Sequence, residues 1–563
     1  MTGTELPDLS ISELAPLIER RQVSPVEVTA AVLERIERLD PILHSYITVL
    51  PERAMDEARQ AEREILAGRH RGPLHGIPIA HKDVVATKGV RTTAHSRVLL
   101  DHVPDDDATV VRRLAEAGTI LLGKLNTYEF ACGATEVFGV PVNPWDTGRI
   151  TAGSSAGSGS ALAAGLAFGA TGTDTGGSIR SPASFCGVVG LKPTYGLVSR
   201  AGVLPLSWSL DHVGPMGRRV RDVGLLLAAI AGHDAADPGS AMPSVAGTVG
   251  GSARGGDPST AGLRGVRIGV PRDLFGAAID AAVRSAFDEA LEVLRDLGAS
   301  VTAIDLPEAS LTAAAQKGVM LPEATLVHAG WLRSRPYDYS ASTRRRLLLG
   351  AAISGPEYLE AQRLRQLVRH GLAVALERVD VLVWPTSARP ALTVDETQVP
   401  VGLQTRLTNL TGTPSLSLPC GFSPDGLPLA LQVNGRPFDE ATVIRVAAAF
   451  EATTGFHKRL PAVAAEAPKV KGEQRLFETP VGPIPSRDRE VLVRDLENGL
   501  RRLEIPLLPE DREPLISDLY QFREVLRLAV EASSGRLEPS VHQAPLASPT
   551  LEVGAGGAGP GPR

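Results

Sequence analysis

The stretch TAGSSAGSGSALAAGLAFGATGTDTGGSIRSPASFCGVVGL, residues 151–191, is the most informative part of this 563-residue sequence. It contains small residues and hydroxyl groups at a density that core packing alone does not require. Glycines ahead of a helix can form a nest of N–H groups that binds phosphate. However, the sequence has no G-x-x-x-x-G-K-[ST] motif and no G-x-G-x-x-G after a strand, and residues 151–191 contain no lysine to meet a phosphate. A phosphate-binding loop is therefore not indicated.

A second interpretation of this stretch is a nucleophile elbow, because residues 153–157 (GSSAG) formally fit G-x-S-x-G with Ser155 at the centre. The pattern is short and arises easily by chance in a run rich in glycine and serine. The preceding residues, 143–148, are typical of turns and not of the strand that leads into an elbow. Ser155 is therefore the weaker candidate nucleophile.

A longer pattern joins Ser154, in AGSSAG, to Ser178, in DTGGSIR, 24 residues further on. Upstream, residues 76–83 (GIPIAHKD) place Lys82 after an apolar run. These elements resemble the amidase-signature family, in which a Gly-Gly-Ser-Ser-Gly-Gly element is followed at this spacing by a nucleophile in Gly-Gly-Ser-Ile-Arg. Matching segments extend the resemblance over roughly positions 8–455, and include 126–133 (NTYEFACG), 186–197 (CGVVGLKPTYGL), 209–211 (SLD), 384–386 (WPT) and 409–433.

The chemistry that this resemblance implies is hydrolysis of an amide by a Ser-Ser-Lys triad through an acyl-enzyme. An amide needs an activated nucleophile, a group that stabilises the oxyanion and a proton for the departing amine. The family roles predict Ser178 as the nucleophile, Ser154 as the proton relay and Lys82 as the base. Because a lysine in water has a pKa of about 10.4, Lys82 can act as a base only if burial lowers that pKa. No metal ion and no cofactor is implied.

The resemblance also assigns the residues around the triad. Ser154 is expected to follow a cis Gly153–Ser154 peptide bond, which costs about 3–4 kcal/mol and persists only where the surroundings hold it. Four backbone N–H groups are expected to form the oxyanion hole, those of Thr175, Gly176, Gly177 and Ser178. Supporting hydrogen bonds are expected from Ser155, Thr173, Asp174 and Arg180.

The sequence departs from the family pattern at a few positions. Ala152 and Ala156 replace glycines of the Ser-Ser element, which adds methyl groups where the family has none. His81 precedes Lys82, and because side chains alternate along a strand, we expect it to take no direct part in catalysis. The substrate pocket is expected to draw on residues 206–210 and 320–358, and on Tyr128, Phe130 and Cys132.

The wider sequence predicts an α/β fold. Apolar strand-like runs alternate with amphipathic helical stretches, which is typical of helices covering a largely buried sheet. Ser24, Pro25 and Glu27 have the order of an N-cap, a first helical proline and a capping-box acid. The resemblance makes the fold more specific: a large mixed β-sheet with helices on both faces. The predicted strands are 76–80, 119–122, 266–270, 379–384 and 429–433, and further predicted helices are 108–117, 281–297 and 440–453.

The predicted organisation is one catalytic domain with a C-terminal extension. The catalytic domain is assigned to residues 1–465, with a flexible loop at 233–262 where Gly, Ser, Ala, Pro and Asp dominate. Residues 466–535 are assigned to a linker and a helical extension, and 536–563 to a disordered tail. Within the extension, apolar residues spaced by four and three predict a helix over 509–531 that packs on another helix, through Leu515, Leu519, Phe522, Leu526 and Ala529.

Composition excludes several classes of function. The formal net charge is only −6, and no Lys/Arg block interleaved with aromatics is present, so nucleic acid is not implied as a partner. Neither a basic N-terminal leader followed by an apolar stretch nor a membrane-spanning apolar run is found, so we expect no membrane association and a cytoplasmic location. A disulfide framework is not suggested, since three cysteines occur far apart: Cys132, Cys186 and Cys420.

Two enzymatic functions remain open, and a non-catalytic scaffold is disfavoured because all three triad groups are present. A stand-alone amidohydrolase acting on a small amide is the preferred interpretation. The alternative is the glutaminase subunit of a tRNA-dependent amidotransferase, which releases ammonia for another subunit. Residues 498–531 faintly resemble the small helical partner subunits of such assemblies, here fused to the chain. A homodimer and a helical partner subunit are therefore the partners to consider.

Overall fold

The computed structural model of the chain describes residues 6–134, 137–241, 262–272, 279–393, 404–463 and 484–533. Thirteen strands are defined in these residues: β1 (Tyr46–Val49), β2 (Pro78–Lys82), β3 (Ile120–Leu125), β4 (Val142–Asn143), β5 (Asp146–Ile150), β6 (Gly169–Asp174), β7 (Val189–Lys192), β8 (His212–Gly217), β9 (Arg267–Pro271), β10 (Ser300–Ile304), β11 (Val381–Pro385), β12 (Ser415–Phe422) and β13 (Pro428–Gly435). Eleven of them form one sheet in the order β1-β3-β2-β6-β8-β7-β12-β13-β11-β9-β10, while β4 and β5 pair separately.

Helices cover this sheet. Their bounds are α1 (Ile11–Glu19), α2 (Pro25–Leu43), α3 (Pro51–Leu66), α4 (Thr109–Glu116), α5 (Ala156–Ala163), α6 (Arg180–Cys186), α7 (Val220–Ile230), α8 (Ala281–Asp296), α9 (Thr312–Ser334), α10 (Ala341–Ala352), α11 (Gly355–Arg378), α12 (Arg406–Thr411), α13 (Glu440–Thr454), α14 (Ser486–Arg502) and α15 (Pro509–Ala532). None of these described helices is both long enough and apolar enough to cross a bilayer.

The sheet is mixed, and its parallel part positions the candidate site. Strand β2 pairs in parallel with β3 and with β6, whereas β6, β8, β7, β12 and β13 follow one another in antiparallel pairs. Every residue of β2 and β6 is buried. Because β2 ends at Lys82 and its parallel neighbour β6 ends at Asp174, the two chain segments leave the sheet at the same edge.

Helix α2 shows how local chemistry determines an element. The Ser24 side chain accepts a hydrogen bond from the backbone of the first turn, and Glu27 accepts one from the Ser24 N–H at 2.9 Å. Pro25 occupies the first helical position, where its missing N–H costs nothing. The helix predicted at this capping box is therefore confirmed.

The C-terminal extension consists of α14 and α15, which pack on α9, α10 and α11 of the main body. The predicted apolar seam of α15 is buried along its whole length, at Leu515, Leu519, Phe522, Leu526 and Ala529. A buried ion pair adds to this packing, since Arg344 Nε of α10 donates to Asp511 Oδ2 at 2.5 Å. The extension is therefore joined to the body by apolar and ionic contacts.

The predicted fold class is confirmed, with its mixed sheet and its helical extension. Most of the predicted loop at 233–262, the linker that begins at 466 and the tail 536–563 lie outside the described residues, and the division into these segments stays a prediction. The turn-like interpretation of 143–148 was wrong in part, because β4 and β5 form a two-stranded ribbon there. The Asn143 side-chain amide supports it by donating to the carbonyls of Ile150 and Phe185 at 3.3 and 2.9 Å.

Candidate active site

Lys82 is the last residue of β2, and its ammonium group points into a cluster of hydroxyls. Its Nζ donates to Ser154 Oγ and to Thr173 Oγ1, both at 2.7 Å, and to Ser155 Oγ at 3.1 Å. The side chain is fully buried. Burial lowers the pKa of Lys82 to about 7, although the negative charges of Asp174 and Asp211 act in the opposite direction. A lysine with this pKa exists to a large extent as the neutral amine near pH 7.

The Ser154–Ser155 segment reaches Lys82 through a left-handed turn. The predicted cis Gly153–Ser154 peptide is not present, and none of the described peptide bonds is cis. Instead, two consecutive residues have positive φ, 55° at Ala152 and 62° at Gly153, and this reverses the chain. The expectation of a cis bond was therefore wrong, because left-handed backbone dihedrals supply the turn. Ser154 still reaches Lys82.

The Ala152 departure from the family pattern has a packing role. Its methyl group is fully buried and belongs to a small apolar cluster with Ile150, Phe185, Ala391 and Leu392. A non-glycine residue at positive φ costs about 1–2 kcal/mol, which this burial offsets in part. Ala156 opens α5 and is equally buried.

Ser178 lies beside the Ser-Ser segment and is the accessible member of the predicted triad. The Ser155 N–H donates to the Ser178 carbonyl at 3.2 Å, and a Cβ added to Gly153 would lie 3.1 Å from Ser178 Cα. Ser178 is half-buried, whereas Ser154 and Lys82 are buried. The structure thus places a reachable hydroxyl next to a buried lysine–serine pair.

The four predicted oxyanion-hole amides do not have the same surroundings. Gly177 N–H donates to Asp174 Oδ1 at 2.7 Å and is therefore already engaged. The N–H groups of Thr175, Gly176 and Ser178 have no acceptor among the described residues. Gly177 thus differs from the other three amides, and the assignment of all four to an oxyanion hole stays a prediction.

A buried ion pair holds this loop in place. Arg180 donates to Asp174 through Nε and through Nη2, both at 3.0 Å, and neither side chain is exposed. Burial by itself would raise the pKa of Asp174, but the Arg180 charge and hydrogen bonds hold that pKa well below its usual range. The guanidinium also donates to a set of groups far along the chain, on Thr405, Thr408, Asn409, Ser415 and Gln432. The supporting role predicted for this pair agrees with these contacts.

The hydroxyls of Ser155 and Thr173 also occupy the predicted supporting positions. Ser155 Oγ accepts from the Thr173 N–H at 3.2 Å in addition to its contact with Lys82. His81 is buried beside α3 and α4, in a polar pocket that also contains Glu64 and His75. Its ring meets the Thr171 hydroxyl at 3.4 Å, on the side of the strand away from Lys82 Nζ, as expected from strand alternation.

The predicted substrate-binding residues are placed less clearly. Phe130 stacks on Trp331 at 5.5 Å between ring centroids and meets His328 edge-on, and Cys132 is buried. Tyr128 is half-buried. The neighbouring Ala131, by contrast, lines a cavity of about 250 Å³ that also reaches Thr173, Thr175, Trp208 and Asp211. The assignment of Tyr128, Phe130 and Cys132 to substrate binding stays a prediction.

Three further residues of the site were missed by the sequence analysis. Thr405 Oγ1 donates to the Gly176 carbonyl at 2.6 Å, and Asp211 Oδ1 accepts from the Thr175 hydroxyl at 2.6 Å. Gln316 of α9 lies against Gly176. Burial raises the pKa of Asp211 to about 6 against the hydrogen bonds that it accepts. Only Asp211 had a sequence signal, because it lies in the matched SLD segment.

Comparisons with known proteins identify the family of this chain. Residues 27–444 match the Amidase family. A glutamyl-tRNA(Gln) amidotransferase subunit from Moorella thermoacetica is 42% identical over 493 residues, which cover 81% of this chain and 99% of the relative. Among solved structures, the corresponding amidotransferase subunit of Thermotoga maritima is 33% identical with a TM-score of 0.68, covering 83% of this chain and 99% of its own. The peptide amidase of Stenotrophomonas maltophilia is 33% identical with a TM-score of 0.71, covering 79% and 97%.

The mixed sheet covered by helices defines an α/β protein, in which a buried lysine–hydroxyl cluster lies beside a Gly-Gly-Ser turn. The chain belongs to the Amidase family, so the resemblance seen in the motifs is confirmed. Among the described residues, no group of three or more His, Cys, Asp or Glu side chains is arranged to hold a metal ion.

Proposed function

We propose that this protein hydrolyses a carboxamide C–N bond, with Ser178 as nucleophile, Ser154 as proton relay and Lys82 as base. One observation carries the proposal: the buried Lys82 Nζ lies 2.7 Å from Ser154 Oγ with its pKa lowered to about 7, directly behind the segment that contacts Ser178. A base with a pKa near the working pH is the most effective one.

In the proposed reaction each proton has a defined path. Ser178 Oγ attacks the amide carbonyl carbon and gives its proton to Ser154, whose own proton passes to the neutral Lys82 amine. The carbonyl oxygen becomes an oxyanion, which the free N–H groups of Thr175, Gly176 and Ser178 stabilise. Lys82 then returns a proton through Ser154 to the leaving nitrogen, so that ammonia or an amine departs and an ester to Ser178 remains. Water attacks this acyl-enzyme along the same path and releases the carboxylate.

The proposed activity has two possible physiological forms, a stand-alone amidohydrolase and an amidotransferase subunit. The sequence alone favoured a stand-alone amidohydrolase, but relatives named as glutamyl-tRNA(Gln) amidotransferase subunits, at 42% identity over nearly their whole length, favour the alternative. We therefore propose glutamine as the first substrate to test, with the chain acting as the ammonia-releasing component. The peptide amidase neighbour keeps the stand-alone form as the second candidate.

The experiment measures ammonia and amine release by the purified full chain from glutamine, small primary amides, anilides and ureas. Release from glutamine alone supports the amidotransferase form, and release from several amides without glutamine supports the stand-alone form. Ser178→Ala is the matched control, because its product formation should vanish while its thermal unfolding stays unchanged. Equal rates in the wild type and Ser178→Ala would contradict the proposed nucleophile.

A further inference from the structure

Gln316 is a buried side chain of α9 that lies next to the proposed oxyanion-hole backbone. It is only 5% exposed. A Cβ added to Gly176 would lie 3.1 Å from Gln316 Nε2, so the side-chain amide faces Gly176 across the space that a Cβ would occupy. On its opposite side the same glycine accepts the hydrogen bond from Thr405. Gly176 is thus held between a threonine and a glutamine, and its remaining half-exposed face borders the site.

The hydrogen-bonding capacity of Gln316 is largely unused. A glutamine amide has two donor N–H groups and a carbonyl acceptor. In the described part of the chain, Gln316 makes one side-chain hydrogen bond, from Nε2 to the Met320 Sδ at 3.1 Å. A thioether sulfur is a weak acceptor. Among the described residues, most of the donor and acceptor capacity of this amide is therefore left for a molecule bound at the site.

Helix α9 cannot easily move Gln316 away from the site. Two residues along, a Cβ added to Gly318 would lie 2.5 Å from the Ala361 Cβ and 3.6 Å from the Phe522 ring, so α11 and α15 pack directly behind the helix. Further along the helix, Glu323 accepts hydrogen bonds from Ser207 and Ser209, which attach α9 to the segment before β8. The position of Gln316 is therefore fixed from two sides.

We propose that Gln316 is a specificity-determining residue that hydrogen-bonds the substrate beside its scissile amide. This inference rests on the stand-alone form of the proposed function, in which the substrate is an amide other than glutamine. The Gln316 side-chain amide is neutral and has both hydrogen-bond donors and an acceptor. It therefore complements an uncharged substrate group that also has a donor and an acceptor. The substrate class that it favours is a carboxamide with a second neutral amide or ureido group close to the reacting carbonyl.

A pair of matched substrates tests this proposal. Malonamide carries a second carboxamide, and isovaleramide has an isopropyl group of similar shape in its place. In Gln316→Leu, kcat/KM for malonamide should fall about three- to tenfold, as expected for the loss of one or two neutral hydrogen bonds, while kcat/KM for isovaleramide changes less than about twofold. Gln521→Leu on α15 makes the same chemical change on a side chain that bonds Ser517 of its own helix, and is expected to alter neither rate. Equal losses for both substrates in Gln316→Leu would overturn the inference.

A binding measurement separates this proposal from the proposed function. In the Ser178→Ala background, calorimetric titration gives the Kd of malonamide and of isovaleramide without turnover. Addition of Gln316→Leu should weaken malonamide binding about three- to tenfold and leave isovaleramide unaffected. If the wild type releases ammonia or amine from none of the tested compounds, glutamine included, the proposed function fails, yet the Kd ratio still decides the role of Gln316. Absence of malonamide binding, or an unchanged Kd ratio, overturns the specificity role.

Discussion

Two buried lysines on the same sheet, Lys82 at the end of β2 and Lys192 at the end of β7, have similar burial but different partners. Burial lowers the pKa of both side chains. Lys82 donates to three hydroxyl oxygens, whereas Lys192 donates to the carbonyl oxygens of Pro193 at 3.0 Å and Thr413 at 2.6 Å. A hydroxyl can accept one proton and give up another, but a backbone carbonyl can only accept a hydrogen bond. Burial therefore lowers the pKa of a lysine at either position. Only hydroxyl partners can then pass protons between the amine and a nucleophile.

The largest expected effect is the loss of activity in Lys82→Met. Removing the base should lower kcat/KM for amide hydrolysis about a thousandfold or more, because both the proton acceptor for Ser178 and the donor for the leaving group are lost. Rates are measured with the amide that the wild type cleaves best, and circular dichroism confirms folding. Lys192→Met is the matched control and should keep its rate. Comparable losses in both variants would show that the different partners of the two buried lysines do not distinguish them in catalysis.

The next effect is the pH dependence of the rate. Lys82 accepts a proton only as the neutral amine, and burial lowers its pKa to about 7. As pH falls through 7 the amine becomes protonated, so kcat/KM should decrease about tenfold per pH unit and reach about one hundredth of its plateau at pH 5. Above about pH 8 the rate should be constant.

The pH–rate profile of Lys192→Met is the control for this prediction. Because Lys192 lies outside the proton path, the inflection should stay near pH 7 in that variant. A profile that is flat from pH 5 to 9 in the wild type would contradict Lys82 as the base.

A smaller effect is expected from a single hydroxyl partner. Thr173→Val keeps the shape of the side chain but removes one acceptor of Lys82, and should lower kcat/KM about tenfold because the amine is less well oriented. A third buried lysine, Lys124, offers a matched control. It donates to Thr92 Oγ1 at 2.7 Å, away from Ser154, so Thr92→Val should change the rate less than about twofold. If both threonine variants behave alike, the hydroxyls around Lys82 have no special role.

The smallest effect on activity is expected in Lys192→Met, where stability changes instead. Its kcat/KM should stay within about twofold, while the free energy of unfolding should fall by about 1–3 kcal/mol because two buried carbonyls lose their donor. Urea titration measures this difference. Leu528→Ala, at an α15 position that is 56% exposed, should change stability by less than about 0.5 kcal/mol. An unchanged unfolding free energy in Lys192→Met would remove the structural role from Lys192.

The sequence predicted the members of the lysine–serine pair but not their detailed surroundings. The order and spacing of the motifs placed Lys82, Ser154 and Ser178 together, and alternating patterns placed the strands that carry them. The backbone of the turn was predicted incorrectly, since φ at Ala152 and Gly153 replaces the expected cis bond. Local composition does not determine which of two backbone routes a tight turn takes.

The sequence motifs also did not predict contacts between residues that lie far apart in the sequence. Gln316 and Thr405 meet Gly176 from 140 and 229 positions away. Neither residue has a neighbouring pattern that marks it, because their proximity arises from the packing of α9 and the segment before α12 on the finished sheet. The engagement of the Gly177 amide by Asp174 depends likewise on backbone direction, which residue types alone do not specify.

The contacts of Arg180 have a consequence for the order of events during protein synthesis. The guanidinium that orients the Ser178 loop donates to Thr405, Asn409 and Gln432, all more than two hundred positions later. A nascent chain emerges from the ribosome N-terminal end first, so these acceptors emerge long after the Ser178 loop itself. Until then Arg180 lacks these hydrogen-bond partners. We therefore expect the Ser178 loop to acquire the geometry described here only after residue 432 has left the ribosome.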